Sequence, residues 1–255
     1  MEQGKVAVVT GAGTGIGAAA VKKLAQRGVN VVINHLGDVD RAGAEETAET
    51  CRASGVKALI HAADVGDEPS CRRLIAASVE AFGRLDYLVN NAGTTAGRDL
   101  RDLDGVTVEE FRRVYDVNCI GPFMLSRAAA PHMRKLGRGA IVNIASQAGL
   151  IGMGSSHPYC VTKAGLINMT RALARVLGPE IRVNVICPGL INTQFPPSVL
   201  GPERYKSILA RFEATSILKS VIEPEDVAES IVWLLEGAPQ ITGHIIEVDG
   251  GGHLS

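Results

Sequence analysis

Apolar residues along this chain come in short blocks separated by longer amphipathic stretches. Seven blocks stand out: VAVVT from Val6, VNVVIN from Val29, ALIHAAD from Ala58, YLVNN from Tyr87, AIVNIAS from Ala140, VNVICPG from Val183 and HIIEVDG from His244. They are rich in β-branched residues and mostly lack the alternation of a half-exposed strand, as expected of parallel strands covered on both faces. Between them, helical spacing predicts helices at roughly 15–28, 40–54, 68–83, 107–136, 159–178, 202–214 and 224–236. In GAAAVKKLAQRG, Ala19, Leu24 and Ala25 form a sheet-facing stripe, Lys22, Lys23 and Gln26 face water, and Gly28 ends the helix. Strand–helix alternation with short links predicts an α/β, Rossmann-type doubly wound fold: a seven-stranded parallel sheet with helices on both faces. No repeat, low-complexity tract or linker divides residues 1–255, so one domain is expected.

Bulk composition removes several function classes. A chain of 255 residues, 46% hydrophobic, buries a large core, and a net charge of −1 argues against a nucleic-acid surface. No apolar run approaches the ~20 residues a membrane-spanning helix needs, and MEQGKVAVVTGAG has no signal-peptide n-region. Five scattered cysteines, without C-x-x-C, predict neither a disulfide framework nor a zinc site and fit a cytoplasmic protein. The six histidines form no metal-like cluster, so no metal is expected.

Two local patterns carry chemistry. In VAVVTGAGTGIGAAA, Gly11, Gly13, Gly15 and Gly17 form a turn directly after the first strand and at the start of the first helix. Backbone without side chains can approach a pyrophosphate there, and the helix N-terminus offers N–H donors and a positive dipole end. In SSHPYCVTKAG, Tyr159 and Lys163 share one helical face, about 40° apart in azimuth and about 6 Å apart along the axis. An ammonium beside a phenol favours the phenolate, which makes the tyrosine a usable acid or base.

The glycine spacing, T-G-x-x-x-G-x-G from Thr10 to Gly17, resembles that of the short-chain dehydrogenase/reductase family, and other landmarks follow in order over essentially the whole chain. These are Asp64 at the end of the third strand, NNAG at Asn90–Gly93, Ser146 closing the fifth strand, Tyr159 with Lys163, and the Pro188–Gly189 pair. The resemblance implies a catalytic set of Asn118, Ser146, Tyr159 and Lys163 in an NAD(P)-dependent oxidoreductase acting on a carbonyl or secondary alcohol. In that set Ser146 bonds the carbonyl oxygen, Tyr159 delivers the proton, Lys163 supports the tyrosinate and binds the nicotinamide ribose, and Asn118 holds a water. It implies cofactor contacts from Gly11, Gly13, Thr14, Gly15, Ile16 and Gly17 at the turn, and from Asp64 and Val65 at the adenine. Asn91, Ala92 and Gly93 line the adenosine side, and Tyr159, Lys163, Pro188, Gly189, Ile191 and Thr193 lie towards the nicotinamide.

The family's acidic, NAD-selecting position falls on His35, where no carboxylate can repel a 2′-phosphate, whereas Thr14 stands where many NADP users carry arginine or lysine. The balance leans to NADP(H) over NAD(H). Substrate contacts are expected from Gln147, Met153, His157 and Phe195, with a lid at about 190–215 that carries Leu200, Tyr205 and Phe212. The chain looks most like the 3-oxoacyl-thioester (acyl-carrier-protein) reductase branch. Arg134, Lys135 and Arg138 could form a carrier-binding patch, although Glu180 stands where carrier-protein reductases commonly have arginine. The alternatives are an NAD-dependent sugar, polyol or secondary-alcohol dehydrogenase and, more remotely, a non-catalytic nucleotide-binding redox sensor. The partners expected are a small-molecule carbonyl or alcohol substrate and further copies of the chain in a tetramer or dimer, with no nucleic acid and no membrane.

Overall fold

Each of the seven apolar blocks supplies one strand in the computed structural model, which describes residues 4–192 and 201–254. The strands are β1 (Val6–Val9), β2 (Asn30–His35), β3 (Ala58–Ala62), β4 (Tyr87–Asn90), β5 (Gly139–Ile144), β6 (Ile181–Pro188) and β7 (Ile245–Val248). They pair in parallel in the order β3-β2-β1-β4-β5-β6-β7. The chain therefore reverses its winding direction between β1 and β4, and in such sheets the ligand crevice opens there, beyond the carboxyl ends of the strands.

Continuous hydrophobicity in the strands follows from two cores. On β1, Ala7 and Val9 enter one cluster while Val6 and Val8 enter the other, and Val31 and Val32 divide in the same way on β2. The first core is closed by α1 (Gly15–Gln26), α2 (Asp38–Ala53) and a later helix, Pro224–Val232. The second is closed by α3 (Glu68–Phe82) and the long helices on either side of β5. On α1 the expected stripe of Ala19, Leu24 and Ala25 is buried and Gln26 is exposed. Lys22 and Lys23 are only half-exposed, because the helix 224–232 packs across them and Glu229 accepts from Lys23.

Capping chemistry sets several helix ends. Asp67 accepts from Ser70 N at 2.9 Å to start α3, and Gly83, at φ 72°, ends it. Thr107 and Glu110 form a reciprocal capping box at the start of α4 (Val108–Tyr115). The expected single helix 107–136 is in fact α4, a π-helical turn at Asp116–Ile120, and α5 (Gly121–Lys135). A π turn holds one residue more than an α turn, so it rotates α5 relative to α4 while the apolar spacing on each side still reads as helix. A short α6 (Ala148–Ile151) precedes α7 (His157–Leu177), and α8 (Pro202–Thr215) and α9 (Pro224–Val232) come after β6. A second π turn at Trp233–Gly237 leaves carbonyls that Arg182 satisfies, donating to Leu234 O at 2.7 Å and Leu235 O at 2.8 Å.

No helix among the described residues is long and apolar enough to cross a membrane.

Candidate active site

The crevice is built at the carboxyl ends of β1, β2, β4, β5 and β6. Gly11 (φ 59°) and Gly15 (φ 53°) turn the chain from β1 into α1. A Cβ on Gly17 would lie 2.3 Å from Gly11 O and 2.6 Å from Asn91 Nδ2, so only hydrogen fits at that position. Asn91 binds the turn from the β4 side, donating to Thr10 O at 2.9 Å and Gly11 O at 3.0 Å. Thr10 Oγ1 in turn accepts from Asn91 N and Ala92 N, both at 3.0 Å. Buried Asn34 ties the same turn to β2 and β3: its Oδ1 accepts from Gly11 N at 3.3 Å and its Nδ2 donates to Ala63 O at 3.0 Å. The first turn of α1 has neither a side-chain cap nor an acidic residue, so its N–H groups and positive dipole end remain available to an anion. A cavity of about 210 Å³ lies behind this turn, lined by Thr14, Lys22, Glu46, Thr47 and Glu225 among others. None of its lining residues belongs to the tyrosine side, so the chemistry is placed in the crevice, where the reactive groups converge.

Tyr159, Lys163 and Ser146 meet across β5 and α7. Ser156 caps α7 by accepting from Tyr159 N at 3.3 Å, which places the phenol in the first turn of the helix. The Ser146 hydroxyl stands close enough to the phenol to favour its ionised form, and it accepts from Ala148 N at 3.1 Å. Lys163 is 3% exposed and donates from Nζ to Ile144 O at 2.7 Å, with the ammonium 5.6 Å from the centre of the Tyr159 ring. Beneath them a buried relay joins β4, β5 and α7, with Asn90 donating to Asn143 Oδ1 and Asn143 donating to Thr170 Oγ1, each at 2.8 Å.

Asn118 sits in the π turn. Its Oδ1 accepts from Thr94 N at 2.8 Å, and its Nδ2 donates to Thr94 O at 2.8 Å and to Thr162 Oγ1 at 3.2 Å. One amide hydrogen therefore holds the strand-end segment at Thr94, and the other ties Asn118 to α7 through Thr162. Gly93, on that segment, faces Asn118 Oδ1 and Lys163 Nζ, each 3.4 Å from where a Cβ would stand.

Burial dominates the electrostatics. It raises the Tyr159 phenol above its ordinary value, with the bond from Ser146 acting in the opposite direction. It also lowers the Lys163 ammonium from 10.5 to about 8. The activation of Tyr159 expected from spacing alone is thus offset by desolvation in the cofactor-free protein. One consequence is measurable. The unfolded chain holds more protons than the folded one between pH about 8 and 10.5, so stability rises across that window, and the full cost of the buried ammonium is present below it. Raising the pH from about 7 to about 9.5 should stabilise the wild-type protein by about 2 kcal/mol more than Lys163→Met in urea unfolding. Parallel curves would contradict a buried, cost-bearing ammonium.

Other expected site residues divide. Pro188 and Gly189 lie at the end of β6, where Pro188 O accepts from Gln147 N at 2.9 Å. Ile191 is buried, whereas Thr193 and Phe195 lie outside the described residues. Asp64 Oδ1 accepts from Gly66 N at 2.8 Å, and its Oδ2 pairs with Arg113 at 3.0 Å, so this carboxylate is already engaged before any adenine arrives. Val65 is buried beside it. Gln147 donates to Asp249 Oδ2 at 2.9 Å and is held by the C-terminal turn.

His157 is neither a free acid nor open pocket lining. Its Nε2 is 2.8 Å from Leu100 O, which fastens the loop after β4 to α7. Met153 is 70% exposed and points to solvent rather than into a wall. In the expected lid, Tyr205 is buried with its hydroxyl donating to Ile191 O at 2.8 Å, and Phe212 packs against the first core, so neither ring is free for a ligand. Leu200 lies outside the described residues. Cys119 and Cys160 are buried spacers whose thiols burial pushes up, which makes them poor nucleophiles.

Sequence reasoning missed Asn34 and Asn143. Each is a buried amide among apolar strand residues, and a polar residue where both faces are buried signals a local hydrogen-bonding duty.

Comparison with known proteins agrees with this geometry. The family model described as Enoyl-(Acyl carrier protein) reductase matches residues 11–253. The chain belongs to the short-chain dehydrogenase/reductase family. Among its short-chain dehydrogenase/reductase relatives is a candidate ketoacyl reductase of the granaticin polyketide synthase from Streptomyces violaceoruber, 40% identical over 98% of this chain and 96% of that protein. L-rhamnose 1-dehydrogenase (NAD(P)(+)) of Azotobacter vinelandii is 38% identical over 97% of this chain and 96% of its own length. The crystal structure of levodione reductase superposes with a TM-score of 0.90 at 29% identity, covering 98% of both chains. This short-chain dehydrogenase/reductase is an NAD(P)-dependent oxidoreductase acting on the carbonyl–alcohol pair of a small molecule. The side-chain-free turn at Gly17 and the uncapped start of α1 fit the pyrophosphate of that cofactor.

Proposed function

We propose that this enzyme reduces a ketone or a 3-oxoacyl thioester, with NADP(H) preferred over NAD(H). The observation that carries the reading is the convergence of the Ser146 hydroxyl, the Tyr159 phenol and the buried Lys163 ammonium at one end of the crevice. When bound, the nicotinamide supplies the hydride that reduces the carbonyl carbon. Ser146 donates a hydrogen bond to the carbonyl oxygen as negative charge builds there, and Tyr159 delivers its phenolic proton to the same oxygen. In alcohol oxidation the tyrosinate takes that proton back. Lys163, anchored on Ile144 O, supports the tyrosinate electrostatically and faces the ribose. Asn118 acts through Thr94, holding the segment that faces Lys163, while its second amide hydrogen is committed to Thr162 on α7.

The residues that would hold the cofactor are Asp64 and Val65, Gly11–Gly17, Asn91–Gly93, and Pro188, Gly189 and Ile191. His35 in place of a carboxylate supports the NADP(H) preference. Exposed Tyr115, Ile120, Phe123 and Val161 on α4, its π turn, α5 and α7 support self-association into a dimer or tetramer. Five buried free cysteines support a cytoplasmic location.

Oxidation of NADPH in the presence of acetoacetyl-coenzyme A and of simple cyclic ketones tests the reading, with turnover expected on at least one of the two classes. Inertness towards both, with ready NAD-dependent oxidation of sugars, would replace it with the second reading, a sugar or secondary-alcohol dehydrogenase. That alternative draws support from the relative named for L-rhamnose and from the cis-4-hydroxycyclohexanecarboxylate dehydrogenase of Sinomonas cyclohexanicum, 40% identical over 97% of this chain.

A further inference from the structure

We infer that Asp249, held by His253, is a positioning residue that aims the Ser146 hydroxyl through Gln147, an inference that rests on the catalytic role given to Ser146 above. Gln147 follows Ser146 directly and is fixed from two directions. Its N–H donates to Pro188 O at 2.9 Å, and its side-chain Nε2 donates to Asp249 Oδ2 at 2.9 Å, across 102 residues of chain. It stands at the N-cap position of α6, yet its side chain does not cap that helix. The amide is committed to the C-terminal turn instead.

Asp249 follows β7 directly and is 4% exposed. Four N–H groups converge on its carboxylate. Gly251 N donates to Oδ1 at 3.0 Å, while His253 N at 2.8 Å, His253 Nδ1 at 2.7 Å and Gln147 Nε2 at 2.9 Å meet Oδ2. An ionised carboxylate only accepts, so His253 Nδ1 carries a proton and the Gln147 amide has one orientation. Burial pushes the carboxyl up, but the bonds from His253 and Gly251 outweigh it and hold the group below its ordinary value. The two backbone bonds close the C-terminal turn by themselves. The bond from Gln147 closes no local turn, and it comes from the residue beside the reactive hydroxyl.

A second contact ties Asp249 to the crevice. A Cβ on Gly189 would stand 3.0 Å from Asp249 Cβ and 3.1 Å from its Cα, and Gly189 N donates to Val248 O at 3.0 Å. Gln147, Pro188, Gly189, Val248 and Asp249 thus form a closed ring of contacts at the end of β6, with Ser146 attached at one corner. The same C-terminal turn also holds the segment after α8, where Leu218 N donates to Gly250 O at 3.0 Å. Placement of this kind matters because a shift of about 1 Å in a catalytic group can cost about 100-fold in rate.

A double-mutant cycle tests the inference, with kcat and KM measured on the carbonyl or alcohol that the wild type turns over and cofactor binding read by nicotinamide fluorescence. Gln147→Met removes the donor and Asp249→Ala removes the acceptor. Each should lower kcat about tenfold and leave the cofactor dissociation constant within about twofold, and the double variant should be no slower than the slower single variant. Losses that multiply to about 100-fold in the double variant would show two separate actions and overturn the inference. Wild-type kcat in Asp249→Ala, or a change confined to KM in Gln147→Met, would overturn it as well. If Asp249→Ala does not fold, exposed His253 provides the second arm. His253→Ala removes one bond to Oδ2 and should lower kcat about threefold. His253→Asn, whose amide nitrogen is as many bonds from the backbone as Nδ1, should restore it, and wild-type kcat in His253→Ala would sink the idea. Ser146→Ala separates this inference from the reading beneath it. A collapse of kcat keeps the role of Ser146 whatever the cycle shows, whereas undiminished turnover would overturn that role and the positioning with it.

Discussion

Tyr159→Phe should lower kcat by about 10³-fold and leave the dissociation constant for the nicotinamide cofactor little changed. The phenylalanine ring can occupy the same place in the first turn of α7, because the backbone bond from Tyr159 N to Ser156 Oγ does not involve the phenol. Lys163 keeps its anchor on Ile144 O, so the ribose end of the crevice survives. What disappears is the phenolic proton that stands beside Ser146, and general acid–base catalysis contributes two to four powers of ten. Stopped-flow turnover alongside a fluorescence titration separates the two quantities. Near-normal turnover would sink the assignment of Tyr159 as the acid. Weakened binding with intact turnover per bound complex would make it a structural residue.

The fold was legible because both cores leave a strong mark on the chain. A strand buried on two faces cannot alternate, and Val6 to Val9 are all enclosed although successive side chains point to opposite cores. The ends of the site were legible for the same kind of reason: a turn that admits no Cβ must be glycine, and a helix that begins with an acid–base pair must be capped at its start, as Ser156 caps α7.

Features that depend on one residue of local geometry were not legible. The π turn at Asp116–Ile120 hides inside an apolar repeat that continues on both sides, yet it positions Asn118 against Thr94. His157 and Asp64 were read as open to ligands, but the bonds to Leu100 O and Arg113 that occupy them come from loops whose course no periodicity describes. The electrostatic sign at Tyr159 was also beyond spacing. Placing an ammonium four residues from a phenol predicts activation, while the depth at which both are buried decides how much of it survives.

Gly17→Ala tests the other end of the crevice with one methyl group. Local propensity favours the change, since alanine is better than glycine in a helix by about 1 kcal/mol. Packing opposes it: the new Cβ would stand 2.3 Å from Gly11 O, 2.6 Å from Asn91 Nδ2 and 2.9 Å from Ala12 Cα. Two of those atoms are backbone of a turn held by Asn34 and Asn91, so neither can withdraw without breaking bonds that join β1 to its neighbours. Overpacking of this kind costs about 1–3 kcal/mol and sometimes more, so it outweighs the propensity gain and the net change is destabilising. The larger loss is functional. Relief of the clash must widen the turn, which moves the first-turn N–H groups of α1 away from where a pyrophosphate would meet them, and NADPH affinity should fall by at least about 100-fold. Thermal unfolding and an NADPH titration on the same preparation distinguish the two effects. A folded variant that binds NADPH normally would mean that the turn does not hold the pyrophosphate, whatever else the crevice does.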